Sequence, residues 1–151
     1  MATRLTDNFT LEEFLNSATA KAKHIDNTPL PAIVINLLYL AQHIMQPLRT
    51  KFNMPIAIGS GYRCPVLNKA VGGVENSQHM TGEACDICLP LLPNGKQDLE
   101  TGKAWFAYIR DFLQFDQLIW EHNAKGSYWI HVSFKKFGKN RKQVIDNLLK
   151  K

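Results

Sequence analysis

Hydrophobic residues in the first third of the chain recur at helical spacing. Thr28 and Pro29 can begin a helix, because proline is tolerated in a first turn. Apolar side chains then follow every three or four residues over about four turns, at Ile33, Val34, Leu37, Leu38, Ala41, Ile44, Met45 and Leu48. Nearer the N-terminus, Thr10 and Glu13 have the spacing of a capping box. The pattern predicts a short helix after Thr10 and a longer one whose apolar stripe belongs to the core.

The pattern changes to short apolar runs after residue 54. Residues 55–60 end in glycine and serine, which predicts a strand followed by a turn. Residues 65–71 predict a short helix that ends at Gly72 and Gly73. Residues 84–89 predict a buried strand, which ends at Pro90.

The last third of the chain predicts a long helix and a hairpin. Residues 99–113 suit a helix with Trp105, Ile109, Phe112 and Leu113 facing inward. Residues 117–121 and 128–134 are two strands joined by a polar loop that contains Gly126, which is typical of a β-hairpin. Residues 141–149 predict a final amphipathic helix. Helices first and strands later, without regular βαβ alternation, indicate an α+β fold: a small, mainly antiparallel sheet with helices packed on one face.

Length and charge limit the class of protein. The 151 residues fit one domain, which we expect to span residues 1–151 and to be monomeric. The formal charge of +5 favours polyanionic surroundings, and nucleic acid or an anionic cell wall would satisfy it equally well. Much of the excess lies near the C-terminus, where a solvated tail is the simplest explanation. Aromatic and basic residues do not interleave in a recognisable motif, so we expect no nucleic-acid partner.

The sequence predicts neither a membrane anchor nor a secretory signal. No apolar run reaches the roughly 18 residues needed to cross a bilayer, so we expect no stable membrane insertion. Residues 1–14 lack the apolar core of a signal peptide. We therefore expect synthesis in the cytoplasm.

Three cysteines do not imply a disulfide framework. Cys85 and Cys88 form a CxxC pair, a spacing found in redox and zinc sites. In an ideal strand, however, Cys88 shares one side with Asp86 while Cys85 points to the other. The two thiols do not converge on one metal without a bulge, and we interpret both as small buried hydrophobes.

Two polar residues lie in strands that are otherwise apolar. Asp86 sits between Cys85 and Ile87, where an unpaired carboxylate would be costly to bury. His131 is in the same situation within the last predicted strand, and His79 lies on the loop that enters the strand of Asp86. These three side chains could converge on one metal ion. Two imidazoles and one carboxylate leave the fourth tetrahedral position open, the pattern of a catalytic rather than a structural zinc site.

The motifs around these residues resemble one family. The pattern SxHxxGxAxD spans residues 77–86, a WxH strand follows at residues 129–131, and SGYR stands upstream at residues 60–63. Asn68 and the Gly72–Gly73 turn also fit. In this order and spacing, the motifs resemble the zinc D-alanyl-D-alanine carboxypeptidase and L-alanyl-D-glutamate endopeptidase family of bacterial cell-wall enzymes and phage endolysins. The resemblance, which covers residues 56–134, implies Zn²⁺ on His79, Asp86 and His131, and a fold shared with the hedgehog signalling domain.

The family also needs a carboxylate that activates the attacking water. In some members it lies three residues before the last histidine, but here Tyr128 occupies that position. The candidate is Glu121, at the end of the preceding strand. If Glu121 faces Trp129 across the hairpin, then Ile119 faces His131, and Glu121 projects on the face of His131. A register shifted by one residue would turn Glu121 away, and His122 is the alternative base.

The resemblance also implies substrate contacts. It implies that Arg63 binds the substrate carbonyl or a terminal carboxylate, which the paired donors of a guanidinium suit. Ser77 and Gln78 would hold the ligand loop or touch substrate, with loop capping the favoured role for Ser77. Trp129 is a further candidate for substrate contact.

We therefore expect a zinc metallopeptidase that hydrolyses peptidoglycan stem peptides. An endopeptidase is favoured over a D,D-carboxypeptidase, with the cell wall reached by a route such as release during phage lysis. The alternative is a non-catalytic, zinc-stabilised cell-wall-binding module of the same fold, in which the ligands remain but the base is lost.

Overall fold

A computed structural model describes residues 2–148, and its centre is one five-stranded sheet. The strands lie in the order β1-β2-β4-β3-β5. They are β1 (Ile58–Ser60), β2 (Ala84–Cys88), β3 (Gln117–His122), β4 (Tyr128–Ser133) and β5 (Gln143–Asp146). All neighbouring pairs are antiparallel except β3 and β5, which are parallel. The predicted α+β class, with a mainly antiparallel sheet, is confirmed.

Most helices precede the sheet in sequence. They are α1 (Leu11–Leu15), α2 (Ala18–Ala22), α3 (Pro31–Leu40), α4 (Gln46–Phe52), α5 (Pro65–Ala70) and α6 (Leu99–Phe112). The capping box is present: the backbone N–H of Thr10 donates to the Glu13 carboxylate at 2.7 Å. None of the helices in this part of the chain is both long and apolar enough to cross a membrane.

The predicted long helix consists of α3 and α4, joined by a π-helical segment, Ala41–Met45. Pro47 accounts for the wider turn, because it has no N–H to donate to the carbonyl of His43 one α-helical turn earlier. The backbone N–H of Gln46 reaches back five residues to Ala41 instead. The predicted apolar stripe is confirmed as core in its second half and at one earlier position, at the fully buried Leu37, Ala41, Ile44, Met45 and Leu48. Its remaining members are only partly buried: Ile33, Val34 and Leu38.

The two faces of the sheet differ. One face is covered by the helices and contains fully buried residues, including Cys85, Ile87, Ile130, Val132 and Trp120. On this face Trp120 stacks on Phe106 of α6, with ring centroids 5.4 Å apart. The side chains at the alternate positions are only partly buried: Asp86, Trp129, His131, Ile119 and Glu121. Strand alternation thus separates a core face from an accessible face that carries the polar residues.

A close backbone contact joins α1 to the SGYR segment. The N–H of Tyr62 donates to the carbonyl of Phe14 at 2.7 Å. A Cβ on the preceding residue, Gly61, would lie 2.7 Å from the Cα of Phe14, closer than real Cβ contacts. Glycine at this position lets α1 approach the loop that leads to Arg63.

Three elements differ from the sequence prediction. The final helix over residues 141–149 is wrong: β5 pairs with β3 instead, and Leu149 lies outside the described residues. Phe112 is 75% exposed rather than inward-facing, and its ring stacks on that of Tyr108 one turn earlier, with centroids 5.3 Å apart. The second helix begins at Pro31, two residues after the predicted Pro29.

The close contact at Gly61 generates a stability prediction. We expect Gly61→Ala to lower the free energy of unfolding by about 3 kcal/mol, the upper end of the range for overpacking, because the added methyl group meets backbone atoms. Gly95→Ala is the matched control: its surroundings are open, so only its positive φ should matter, at about 1 kcal/mol. Urea denaturation measures both. Equal losses in the two variants would contradict the packing argument.

Candidate metal centre

Three predicted ligands converge at one point on the accessible face of the sheet. One ligand atom each from His79, Asp86 and His131 lies within 4.8 Å of the other two. Asp86 in β2 and His131 in β4 are direct cross-strand partners. His79 comes from the single-turn 3-10 helix Gln78–Thr81, which precedes β2. Two strands and one adjacent loop therefore build the cluster.

The spacing of the ligand atoms fits a metal ion. The Oδ1 atom of Asp86 lies 3.3 Å from Nε2 of His79 and 3.0 Å from Nδ1 of His131. Ligands about 2.0–2.1 Å from a tetrahedral zinc ion would be about 3.3 Å apart along the edges of the tetrahedron. These two separations are close to that value, and the donor atoms of the two histidines lie within 4.8 Å of each other, so the three donors lie within reach of one ion.

The hydrogen bonding of His79 also calls for a cation. Its Nδ1 lies 2.7 Å from the carbonyl oxygen of Gly61, which can only accept, so Nδ1 carries the proton. In a neutral ring Nε2 is then an acceptor, yet it faces the Asp86 carboxylate, also an acceptor. Two facing acceptors are stable only with a cation between them, either a proton on the imidazole or a metal ion. The donor set fits zinc, since a backbone carbonyl orients the histidine from behind.

Asp86 is ionised in this environment. Burial alone would raise the pKa of its carboxyl group, but hydrogen bonds from His131 and His79, and the positive charge of an imidazole when it is protonated, outweigh that cost. The net result is a pKa well below the usual range for aspartate. The carboxylate is therefore available as a ligand at neutral pH.

Arg63 lies beside the ligand loop, where no carboxylate within residues 2–148 forms a salt bridge with it. Its backbone N–H donates to the carbonyl of His79 at 3.0 Å, and its Nη2 donates to Oγ of Ser77 at 3.3 Å. Among the described residues, its Nε has no hydrogen-bond partner. Burial lowers the pKa of Arg63, while the negative charge of Asp86 acts in the opposite direction. A half-buried guanidinium with spare donors is thus positioned next to the cluster.

Ser77 and Gln78 hold the loop. Oγ of Ser77 accepts from the backbone N–H of His79 at 3.1 Å, which confirms a capping contact at the start of the 3-10 helix. The Gln78 amide donates to a carboxylate oxygen of Asp116 at 3.0 Å. Whether either side chain also touches substrate stays a prediction.

The hairpin has the register that brings Glu121 toward the cluster. Glu121 pairs with Trp129 and Ile119 with His131, as predicted. Glu121 therefore projects from the same face as His131, in a diagonal position where Cβ atoms are about 7–8 Å apart. His122 is exposed and, by alternation, projects from the opposite face. The register favours Glu121 over His122 as the carboxylate or base nearest the cluster.

A cavity of about 300 Å³ adjoins the cluster along the same strands. Asp86 lines one end, and Trp129, Cys88 and Gly59 form walls. Cys88 is exposed on this face, so its interpretation as a buried hydrophobe is wrong, because β2 ends there and its side chain meets the cavity. Cys85 is fully buried on the opposite face, where burial raises its pKa. The CxxC pair does not point at one metal.

Comparison with protein-family models identifies the family of the chain. A family model described as Peptidase M15 matches residues 7–133, most of the chain. The chain belongs to the M15 peptidase family. A comparison with curated proteins found no match. Membership makes this chain a metallopeptidase by family, and M15 peptidases are zinc-dependent. The family predicted from the three motifs is confirmed.

One buried acid in this M15 peptidase was missed by the sequence analysis. Asp116 is fully buried immediately before β3, where hydrogen bonds from Arg141 lower its pKa to about 2 despite the opposing effect of burial. The sequence does contain a signal for it. Asp116 follows Phe115 at the start of an apolar strand, and, like Asp86, a carboxylate among apolar residues needs a partner. Arg141, which fitted a solvated tail, is its partner instead.

The cluster predicts the metal content of the protein. We expect about one zinc ion per chain, removable by chelators, because one three-ligand group is present among the described residues. The double variant His79→Ala/His131→Ala should lose tight binding, and His122→Ala, an exposed histidine, is the matched control. Elemental analysis after dialysis measures the stoichiometry. Equimolar zinc retained by the double variant would contradict the assignment and return attention to the cysteines.

Proposed function

We propose that this M15 peptidase hydrolyses amide bonds of peptidoglycan stem peptides with a zinc ion held by His79, Asp86 and His131. The observation that carries the proposal is the three-ligand cluster on an accessible sheet face with Glu121 and Arg63 beside it. A zinc ion there would supply a Lewis acid that polarises the scissile carbonyl and acidifies a water molecule. The protein's own side chains do the remaining work.

Glu121 is the proposed general base. Its place on the face of His131, one diagonal step away, suits a carboxylate that takes a proton from the attacking water. The same group, once protonated, can return the proton to the leaving amine. The water thus gains a bond to the carbonyl carbon, the C–N bond breaks, and the amine departs neutral.

Arg63 is the proposed oxyanion partner. The attack places negative charge on the carbonyl oxygen, and a preorganised cation in a partly desolvated site stabilises that charge strongly. Arg63 is already held by His79 and Ser77, so little reorganisation is needed.

The accessible sheet face is the proposed substrate groove. Trp129 and the cavity beyond it offer an apolar surface for a peptide side chain next to the ligands. A second cavity meets the cluster at His131 and is also lined by Ser77 and Gln78, whereas the first meets it at Asp86. Space on both sides of the ligands favours an endopeptidase, which must accommodate chain on each side of the bond. The net charge of +5 suits an anionic wall.

The second candidate is a zinc-stabilised binding module without activity. It requires that no base stands near the metal. The observed register of Glu121 favours the enzyme, because a hairpin slipped by one residue would have removed the carboxylate from this face.

A substitution at Glu121 separates metal binding from chemistry. Glu121→Gln should keep zinc and fold but lose activity by roughly a hundred- to ten-thousand-fold, the usual contribution of a general base. Turnover is measured by mass spectrometry of purified muropeptides digested by the zinc-loaded protein. His122→Gln, on the opposite face, is the matched control and should remain active. Near-normal turnover in Glu121→Gln would mean that another group acts as base.

Arg63 and the substrate C-terminus decide between the two kinds of peptidase. One arginine cannot easily clamp a terminal carboxylate and also assist the oxyanion, so we expect stem peptides with an amidated C-terminus to remain substrates. Arg63→Lys should still lose activity, because a point charge does not replace the planar fork. Turnover on matched free-acid and amidated peptides is the measurement. Activity that disappears on amidation, with interior bonds left intact, would identify a carboxypeptidase.

A further inference from the structure

Asp116 is a fully buried carboxylate that the proposed chemistry does not use. Its side chain has no solvent exposure, and it stands outside the metal cluster at the start of β3. A buried charge persists only when partners satisfy it. The identity of those partners gives Asp116 a role beyond the stability of the core.

The partners come from two separate segments. Arg141 donates three hydrogen bonds to the carboxylate, from its backbone N–H at 3.1 Å, Nε at 3.0 Å and Nη2 at 2.8 Å. Gln78 donates its side-chain amide to the same group at 3.0 Å. The Nζ atom of Lys135 is more distant, at 3.9 Å. Asp116 therefore connects the C-terminal segment to the loop that carries His79.

The loop needs such a connection. The 3-10 helix that contains His79 is one turn long, so its internal hydrogen bonds fix it weakly. On one side, the backbone of Arg63 holds the carbonyl of His79. On the other side, the Gln78 amide holds the loop to Asp116, immediately before the metal ligand. Removing the Gln78 contact would leave His79 with fewer restraints: the Gly61 carbonyl, the Arg63 N–H and the Ser77 cap.

The C-terminal segment that supplies Arg141 lies beyond residue 133, where the family match ends. Its backbone is fixed against the start of β3: Lys142 donates to the carbonyl of Phe115 at 3.0 Å, and Gln143 donates to that of Asp116 at 2.9 Å. Because β5 then continues in parallel beside β3, Arg141 enters the site on a paired backbone rather than on a free tail.

We propose that Asp116 and Arg141 are a positioning pair that acts through Gln78 to hold His79 in its metal-binding orientation. Docking of the C-terminal segment thereby sets the zinc affinity of the centre. The inference rests on the metal site of the proposed function, but it does not depend on which bond is hydrolysed. Neither residue belongs to the ligand cluster, and we propose that both act on it through the loop.

The proposal is tested by the zinc affinities of full-length variants. Competition with a chromophoric chelator measures them. Gln78→Ala leaves the Asp116–Arg141 pair in place, so it tests the link without breaking a buried ion pair. We expect it to weaken zinc binding about 10- to 100-fold, the usual effect of removing a partner that orients a metal ligand. Gln78→Glu should weaken binding further, because its carboxylate would face Asp116. If the added negative charge acted only by attracting the cation, Gln78→Glu would tighten zinc binding, and that result would contradict the proposal.

Arg141→Ala and the double variant Gln78→Ala/Arg141→Ala complete a thermodynamic cycle. If Arg141 acts through Gln78, the double variant loses no more zinc affinity than the more affected single variant, whereas independent effects would add. Ile109→Val, a buried change on the core side of α6, is the control: it should lower the thermal midpoint without changing zinc affinity.

Two outcomes would overturn the proposal separately from the function. Zinc dissociation constants within about twofold of wild type in Gln78→Ala and Arg141→Ala would show a purely structural pair, and so would additive losses in the double variant. Wild-type protein that binds no zinc would instead overturn the metal centre, and the proposed function with it.

Discussion

The register between β2 and β4 is the constraint on which the site depends. It places Asp86 directly opposite His131 on the one face of the sheet that the helices leave accessible. Because side chains alternate, a slip of one residue in either strand would turn a ligand into the core face among Trp105 and Trp120. An ionised carboxylate there would have no partner. The apolar residues that alternate with Asp86 and His131 therefore determine where these two proposed ligands lie.

The third ligand depends on close backbone contacts rather than on strand pairing. His79 is fixed by the carbonyl of Gly61, by the N–H of Arg63 and by the cap from Ser77. Gly61 itself packs against the backbone of Phe14, which only a residue without a side chain permits. The N-terminal helix α1 thus contributes to the site without providing a ligand, because it sets the position of the loop behind His79.

Sequence reasoning succeeded where a local pattern had one structural solution. A polar residue inside an apolar strand needs a partner, which identified Asp86 and His131, and a short hairpin has few registers, which placed Glu121 opposite Trp129. It failed where the outcome depended on distant pairing. Residues 141–149 carry apolar positions compatible with a helix, but β3 offered a free edge, and the backbone paired with it instead. The partnership of Asp116 with Arg141, 25 residues away, was hidden for the same reason. The catalytic roles of Glu121 and Arg63, and the extent of the domain, stay predictions.

Charge balance explains why these particular groups share the accessible face. Without a cation, His79 presents a lone pair to Asp86, and only protonation of that imidazole would turn the contact into a hydrogen bond. A divalent ion held by the proposed ligands would resolve that conflict and leave both rings neutral, as ligands must be. The divalent ion would bring two positive charges and Arg63 one, whereas Asp86 and Glu121 bring one negative charge each. The site would then carry a net charge of about +1. A site with that small positive excess is complementary to a developing oxyanion and not to a neutral amide, so it stabilises the transition state more than the bound substrate. The arrangement of charges therefore favours catalysis over simple binding of a peptide.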